Sequence, residues 1–260
     1  MSARKLFKII RIFTLLIILI GVALGSWLTS KRSTSWEQPL WIAIYPINAD
    51  NSSITRQYIN QLNLQDFESI ETFIAEEAKE FNLSQNQPFT IKLAPQVKSL
   101  PPEPPTSGAI WEIMLWSLKL RYWAYQANTH QGPAPHIRIF VKYFDVNDQQ
   151  PLAHSLGLPQ GMLGIVNAFA SKKMTPANAV VITHEILHTL GATDKYDLST
   201  GQPLFPDGYV EADRAPRYPQ ELAEIMAGKI PLSESKAAIP RGLHQVIVGQ
   251  QTAREINWLK

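Results

Sequence analysis

Apolar positions along this chain change their spacing in a way that separates strands from helices. Leu40-Trp41-Ile42-Ala43-Ile44-Tyr45-Pro46 is rich in β-formers and is stopped by Pro46 and the turn formers Asn48-Ala49-Asp50, which predicts a first strand. Phe67, Ile70, Phe73, Ile74, Ala78 and Phe81 recur at helical spacing and predict an amphipathic helix ending near Asn82. Phe89-Thr90-Ile91-Lys92-Leu93 alternates as a second strand, and the Pro-rich stretch from Leu100 to Pro105 is a loop. Residues 109–126, with Trp111, Met114, Trp116, Leu118, Tyr122 and Trp123, are apolar nearly all round, which predicts a central helix packed on several sides. Glu112, Lys119 and Arg121 make that helix a poor membrane span. Ile137 to Tyr143 reads as a third strand, and Met162 to Ala170 as another, interrupted by Gly164 and Asn167.

Thr175-Pro176 then starts a last helix, with Thr175 placed to cap it and Pro176 pre-set for its first turn. Ala179, Val180, Val181, Ile182, Ile186, Leu187 and Leu190 give that helix its apolar surface, and Gly191 stops it with a left-handed residue. The order strand, helix, strand, helix, strand, strand, helix predicts an α+β fold, a mixed sheet backed by helices. No internal repeat and no second domain is visible.

The N-terminus adds a further expectation. No residue from Ile12 to Ser30 is charged, and a membrane span needs about 20 apolar residues. Arg4, Lys5, Lys8 and Arg11 precede this run, while Lys31 and Arg32 follow it, so the positive-inside bias orients it with the N-terminus in the cytoplasm. The chain therefore divides into a cytoplasmic basic N-terminus (1–11), a transmembrane anchor (12–30), a polar linker (31–38) and one folded domain (39–260). The expected location is the membrane, single-pass, with the domain periplasmic or extracellular. Ala23-Leu24-Gly25 before Ser26 also fits a cleaved signal sequence, which would make the domain secreted.

Composition narrows the chemistry. The 260 residues are 45% hydrophobic and 18% charged, which is globular and not disordered, and the net charge of +2 offers no basic face for nucleic acid. Absence of cysteine excludes a disulfide framework, a cysteine nucleophile and thiolate zinc ligands, so any metal must sit on His, Asp or Glu.

His184-Glu185-Ile186-Leu187-His188 lies on the last predicted helix. Residues four apart project from one face about a turn apart, so both imidazoles can reach a single zinc ion. Glu185 points beside the metal, where a general base can take a proton from water without occupying a coordination site. His130, His136, His154 and His244 have no comparable spacing. A catalytic zinc takes three protein ligands. Gly191 turns the chain back after the helix so that Asp194 can be the third, with Asp197 and Glu224 as rivals.

The stretch His184 to Asp194 resembles the extended motif of metzincin peptidases, with Asp194 where most of them carry His. An Asp there is similar to snapalysin-like members, and Asp194-Lys195-Tyr196-Asp197 resembles the tail of immune-inhibitor-A-type peptidases. The resemblance implies a zincin-like fold, Zn2+ as cofactor, a peptide or protein substrate, and an exposed edge strand for that substrate, the place held by Leu163 to Phe169. It also implies a methionine turn under the metal, for which Glu224-Ile225-Met226-Ala227-Gly228 is the candidate.

Two alternatives stay open: a zinc amidase acting on cell-wall material, and a non-catalytic anchored module of the same fold. Tyr196, Tyr209 or Tyr218 can hold the oxyanion. The loop of 200–220, with Gly201, Pro203, Pro206, Gly208, Pro216 and Pro219, is placed to line the cleft.

Overall fold

The computed structural model describes residues 34–105, 108–130, 132–148, 155–158 and 162–259, together with 7, 11–14, 16, 17, 20 and 21. Strand β1 (Leu40–Asn48) forms where the first β-rich run was expected and continues two residues past Pro46. Its odd and even positions serve two cores: Ile42 and Ile44 point to one side of the sheet, Ala43, Tyr45 and Ile47 to the other. A strand covered on both faces reads as an unbroken apolar run, which is what this segment is.

Helices α1 (Ser53–Asn60) and α2 (Glu68–Glu80) follow, and the spacing of apolar residues had marked only α2. Ile70, Phe73, Ile74 and Ala78 bury the inner stripe of α2, and Asn82 at φ +56° ends the segment as expected. Strand β2 (Phe89–Leu93) pairs parallel with β1. After helix α3 (Ile110–Gln126), β3 (Ile137–Phe144) pairs parallel with the other side of β1. The short β4 (Leu156–Leu158) and β5 (Leu163–Phe169) then form a hairpin, with β5 parallel to β3 and β4 antiparallel to β5. The order is β2-β1-β3-β5-β4, a mixed α/β sheet. Helix α4 (Thr175–Thr189) lies on the same face as α2 and ends the part of the chain that builds the main sheet.

Four expectations are corrected. First, among the described residues no helix is long and apolar enough to cross a membrane, which does not fit the single-pass anchor over 12–30 or the membrane localisation derived from it. Of the N-terminal segment, anchor and linker expected over 1–38, residues 1–6, 8–10, 15, 18, 19 and 22–33 lie outside the described residues.

Second, the helix at 109–126 is not packed on several sides. In α3 only Leu120 and Ala124 are buried, while Ile110, Trp111, Met114, Leu118, Tyr122 and Tyr125 are each more than 60% exposed. An all-round apolar pattern says that no face is polar; it does not supply a second layer to cover the outer one.

Third, β5 is not an edge strand. The connection after β3 doubles back to add β4, so β4 takes the edge and β5 is flanked on both sides. Fourth, Thr175 does not cap α4: a short 3-10 turn (Lys172–Met174) leads into it, Met174 is the N-cap and makes no side-chain cap bond.

Trp36, in the stretch read as a linker, is buried against Phe89 and Trp258, and its indole N–H donates to the Ile256 carbonyl at 2.8 Å. The uneven packing of α3 sets a stability contrast. Leu120→Ala should cost about 2–5 kcal/mol in chemical denaturation, whereas Leu118→Gln on the outward arc should change stability by no more than about 0.5 kcal/mol.

Candidate metal centre

Helix α4 is joined to the sheet at its start by Asn178, whose side chain both accepts from the Phe169 N–H at 3.1 Å and donates to its carbonyl at 2.8 Å. Two turns further on, His184 and His188 lie on one side, with ring centroids 4.6 Å apart and planes nearly perpendicular. The ligand atoms of His184, Glu185 and His188 lie within 4.8 Å of one another, a group that can hold a metal ion.

The orientation of each imidazole is fixed from behind. His184 Nδ1 donates to the Ile225 carbonyl at 2.9 Å, and His188 Nδ1 donates to the Ala192 carbonyl at 2.8 Å. A carbonyl can only accept, so both Nδ1 atoms carry the proton and both Nε2 atoms face the cavity.

The Ala192 carbonyl is in place because of Gly191. At φ +104° this residue takes the left-handed region that favours glycine. The Gly191 N–H bonds the His188 carbonyl at 3.1 Å and the Ala192 N–H reaches back to Leu187 at 3.1 Å, a Schellman closure of the helix. Two residues later Asp194 comes back over the helix. Its Oδ1 stands 3.1 Å from His188 Nε2 and 3.3 Å from His184 Nε2.

Charge follows from this geometry. Burial alone would raise the Asp194 pKa, but hydrogen bonds from the two imidazoles hold it well below the usual carboxylate range. Burial alone would lower that of His184; the bond to Asp194 and the nearby Glu185 charge leave it raised. Glu185 is pushed up by burial, partly offset by the two imidazoles. Its Oε2 is buried with no hydrogen-bond partner, a costly state for a carboxylate and one that marks the place where a ligand would sit.

The predicted site residues thus divide. His184, Glu185, His188 and Asp194 come together. Asp197 does not, being a turn residue whose Oδ1 accepts from Ser199 and Thr200. Glu224 does not either: it is fully buried, and its two oxygens accept from the N–H groups of Met226, Ala227 and Gly249 and from the Thr252 hydroxyl. Those bonds shape the turn that presents the Ile225 carbonyl to His184, with Met226 fully buried within it. Of the three tyrosines, Tyr196 lines the cavity with Asp194, while the hydroxyls of Tyr209 and Tyr218 bond each other at 2.9 Å.

Some positioning residues carried no signal in the sequence. Gly157 on β4 lies so close to α4 that a Cβ there would collide with His188 Cβ and come within 2.8 Å of the Glu185 carbonyl. Glu255, on the C-terminal helix α5 (Gln250–Glu255), holds the residues on either side of Asp194. Glu255 accepts from the Thr193 N–H at 2.8 Å and its hydroxyl at 2.9 Å, and pairs with Lys195 Nζ at 2.7 Å.

Two openings meet at this centre. A cavity of about 190 Å³ lies between β4 and the residues His184, Glu185, His188, Asp194 and Tyr196. A larger cleft of about 480 Å³ runs from His184 and Glu185 along Val180, Val181 and Met174 to Ile239, with Gly201 of the Pro-rich loop on its wall. Comparison with known protein families and with curated proteins returned no match.

The donor set fits a metal ion. Two imidazoles whose Nδ1 atoms are held by carbonyls present Nε2, one carboxylate faces both, and a second carboxylate oxygen lacks a partner. Because Glu255 holds both residues beside Asp194, Glu255→Ala should weaken divalent-metal affinity by roughly 10–100-fold, measured by competition with a chromogenic chelator.

Proposed function

We propose that the chain is a zinc-dependent peptidase of the zincin type, with His184, His188 and Asp194 holding the metal and Glu185 acting as general base. The observation that carries this reading is the convergence of two tautomer-fixed imidazoles on Asp194, beside a buried Glu185 oxygen that has no partner. Nitrogen and carboxylate donors without sulfur suit zinc in a hydrolytic site.

Bound there, zinc would polarise a carbonyl and lower the pKa of water to about 7. The residues of the chain supply the rest. Glu185 takes the proton from the attacking water and returns it to the leaving amine. Burial raises its pKa toward the range in which a carboxylate can do both. Tyr196, whose hydroxyl is shifted up by burial and by the Asp194 and Glu185 charges, stays protonated and can donate to the developing oxyanion. Strand β4 takes the role expected of the edge strand: its outer side has no neighbour among the described strands, and it lies against Glu185 and His188. An extended peptide added there runs across the cavity.

Glu185→Gln in the purified full chain should leave about one zinc per chain and lower kcat/KM on a peptide library by about 10²–10⁴-fold. Metal without turnover on peptides would favour an amidase or a binding module; absence of metal would overturn the reading.

A further inference from the structure

The larger cleft carries a charge that the hydrolytic chemistry does not use. Its wall beside His184 and Glu185 is apolar, formed by Met174, Val180, Val181, Ile225 and Ile239, yet Lys229 also stands on it. The backbone there is fixed. Gly228, at φ +69°, closes the turn that holds Met226, and Ile230 and Pro231, the next two positions after Lys229, are buried in the short strand β6 (Ile230–Pro231).

The side chain lies over Gly201 of the Pro-rich loop, where an added Cβ would come within 2.8 Å of Lys229 Nζ. The other lysines that are at least partly buried have carboxylate partners: Lys142 with Glu103 and Lys195 with Glu255. Lys229 forms no such pair among the described residues, and the one carboxylate on the cleft wall is Glu185, which the proposed reaction occupies. An unpaired ammonium on a low-dielectric wall attracts an anion.

We infer that Lys229 selects ligands that carry a carboxylate next to a bulky apolar group, the apolar group filling the cleft and the carboxylate pairing with the ammonium. The choice of peptides as ligands rests on the peptidase reading. The carboxylate can be a peptide C-terminus or an acidic side chain, and two probe pairs separate these sources.

The experiment measures anisotropy of fluorescein-labelled peptides on the full chain, together with their cleavage by the zinc-loaded protein. One pair differs only in a C-terminal carboxylate or amide after Leu, the other in Glu or Gln one residue beyond an internal Leu. At least one acidic peptide should bind about tenfold tighter than its neutral twin. Lys229→Met should abolish the difference and Lys229→Arg restore it, with binding of the neutral twins unchanged. An equal affinity within both pairs, a preference that survives Lys229→Met, or no binding by any peptide would overturn the inference. Preferential binding without cleavage would overturn the peptidase reading and leave the role of Lys229 standing. Cleavage without a carboxylate preference would do the reverse.

Discussion

Everything at this centre depends on two hydrogen bonds made on the far side of the imidazoles. His184 leans on the Ile225 carbonyl and His188 on the Ala192 carbonyl, and both acceptors belong to backbone that other residues hold in place. The Ile225 carbonyl is where it is because the Glu224 carboxylate gathers the N–H groups of Met226 and Ala227 into a turn and is itself anchored by Thr252. The Ala192 carbonyl is where it is because Gly191 can adopt φ +104°. Without these bonds each ring could swing and either nitrogen could face the cavity. With them, two Nε2 atoms point at one carboxylate.

The same chain of support explains why distant elements matter. The Lys195 backbone N–H bonds the Met226 carbonyl at 2.9 Å, while its side chain is tied to Glu255 and Thr193. The loop that returns Asp194 to the histidines is therefore fastened at both ends, once to the turn at Met226 and once to the C-terminal helix. On the opposite side, β4 approaches α4 at Gly157, closely enough to leave no room for a side chain. The proposed zinc-dependent peptidase fits this arrangement because one wall supplies donors, the other a strand edge with no outer neighbour among the described strands, and Glu185 lies between them.

Local features of the site were legible in the sequence, and long-range ones were not. Four-residue spacing of His184 and His188, the Gly191 stop and the return of Asp194 all follow from helix geometry and backbone conformation within eleven residues. Strands β1, β2, β3 and β5 were visible as β-rich runs. β4 was not, since Leu156-Gly157-Leu158 is three residues long and has no periodicity to detect. Glu224 looked like a rival ligand because a carboxylate near a motif has no orientation in one dimension; only the fold shows its oxygens committed to the turn. The same limit applies to α3. Its apolar residues announce a helix, but nothing in their spacing shows that Leu120 and Ala124 meet the sheet while Trp111 and Tyr125 face outward.

The ligand shell of the metal is the most direct test of a zinc centre built on these residues. Anomalous diffraction at the zinc edge from crystals of the zinc-loaded protein should show one site bonded to His184 Nε2, His188 Nε2 and the Asp194 carboxylate at about 2.0–2.2 Å. Glu185 should stand outside that shell. A crystal without zinc at this place, or with Glu185 bonded to the metal instead of Asp194, would contradict it.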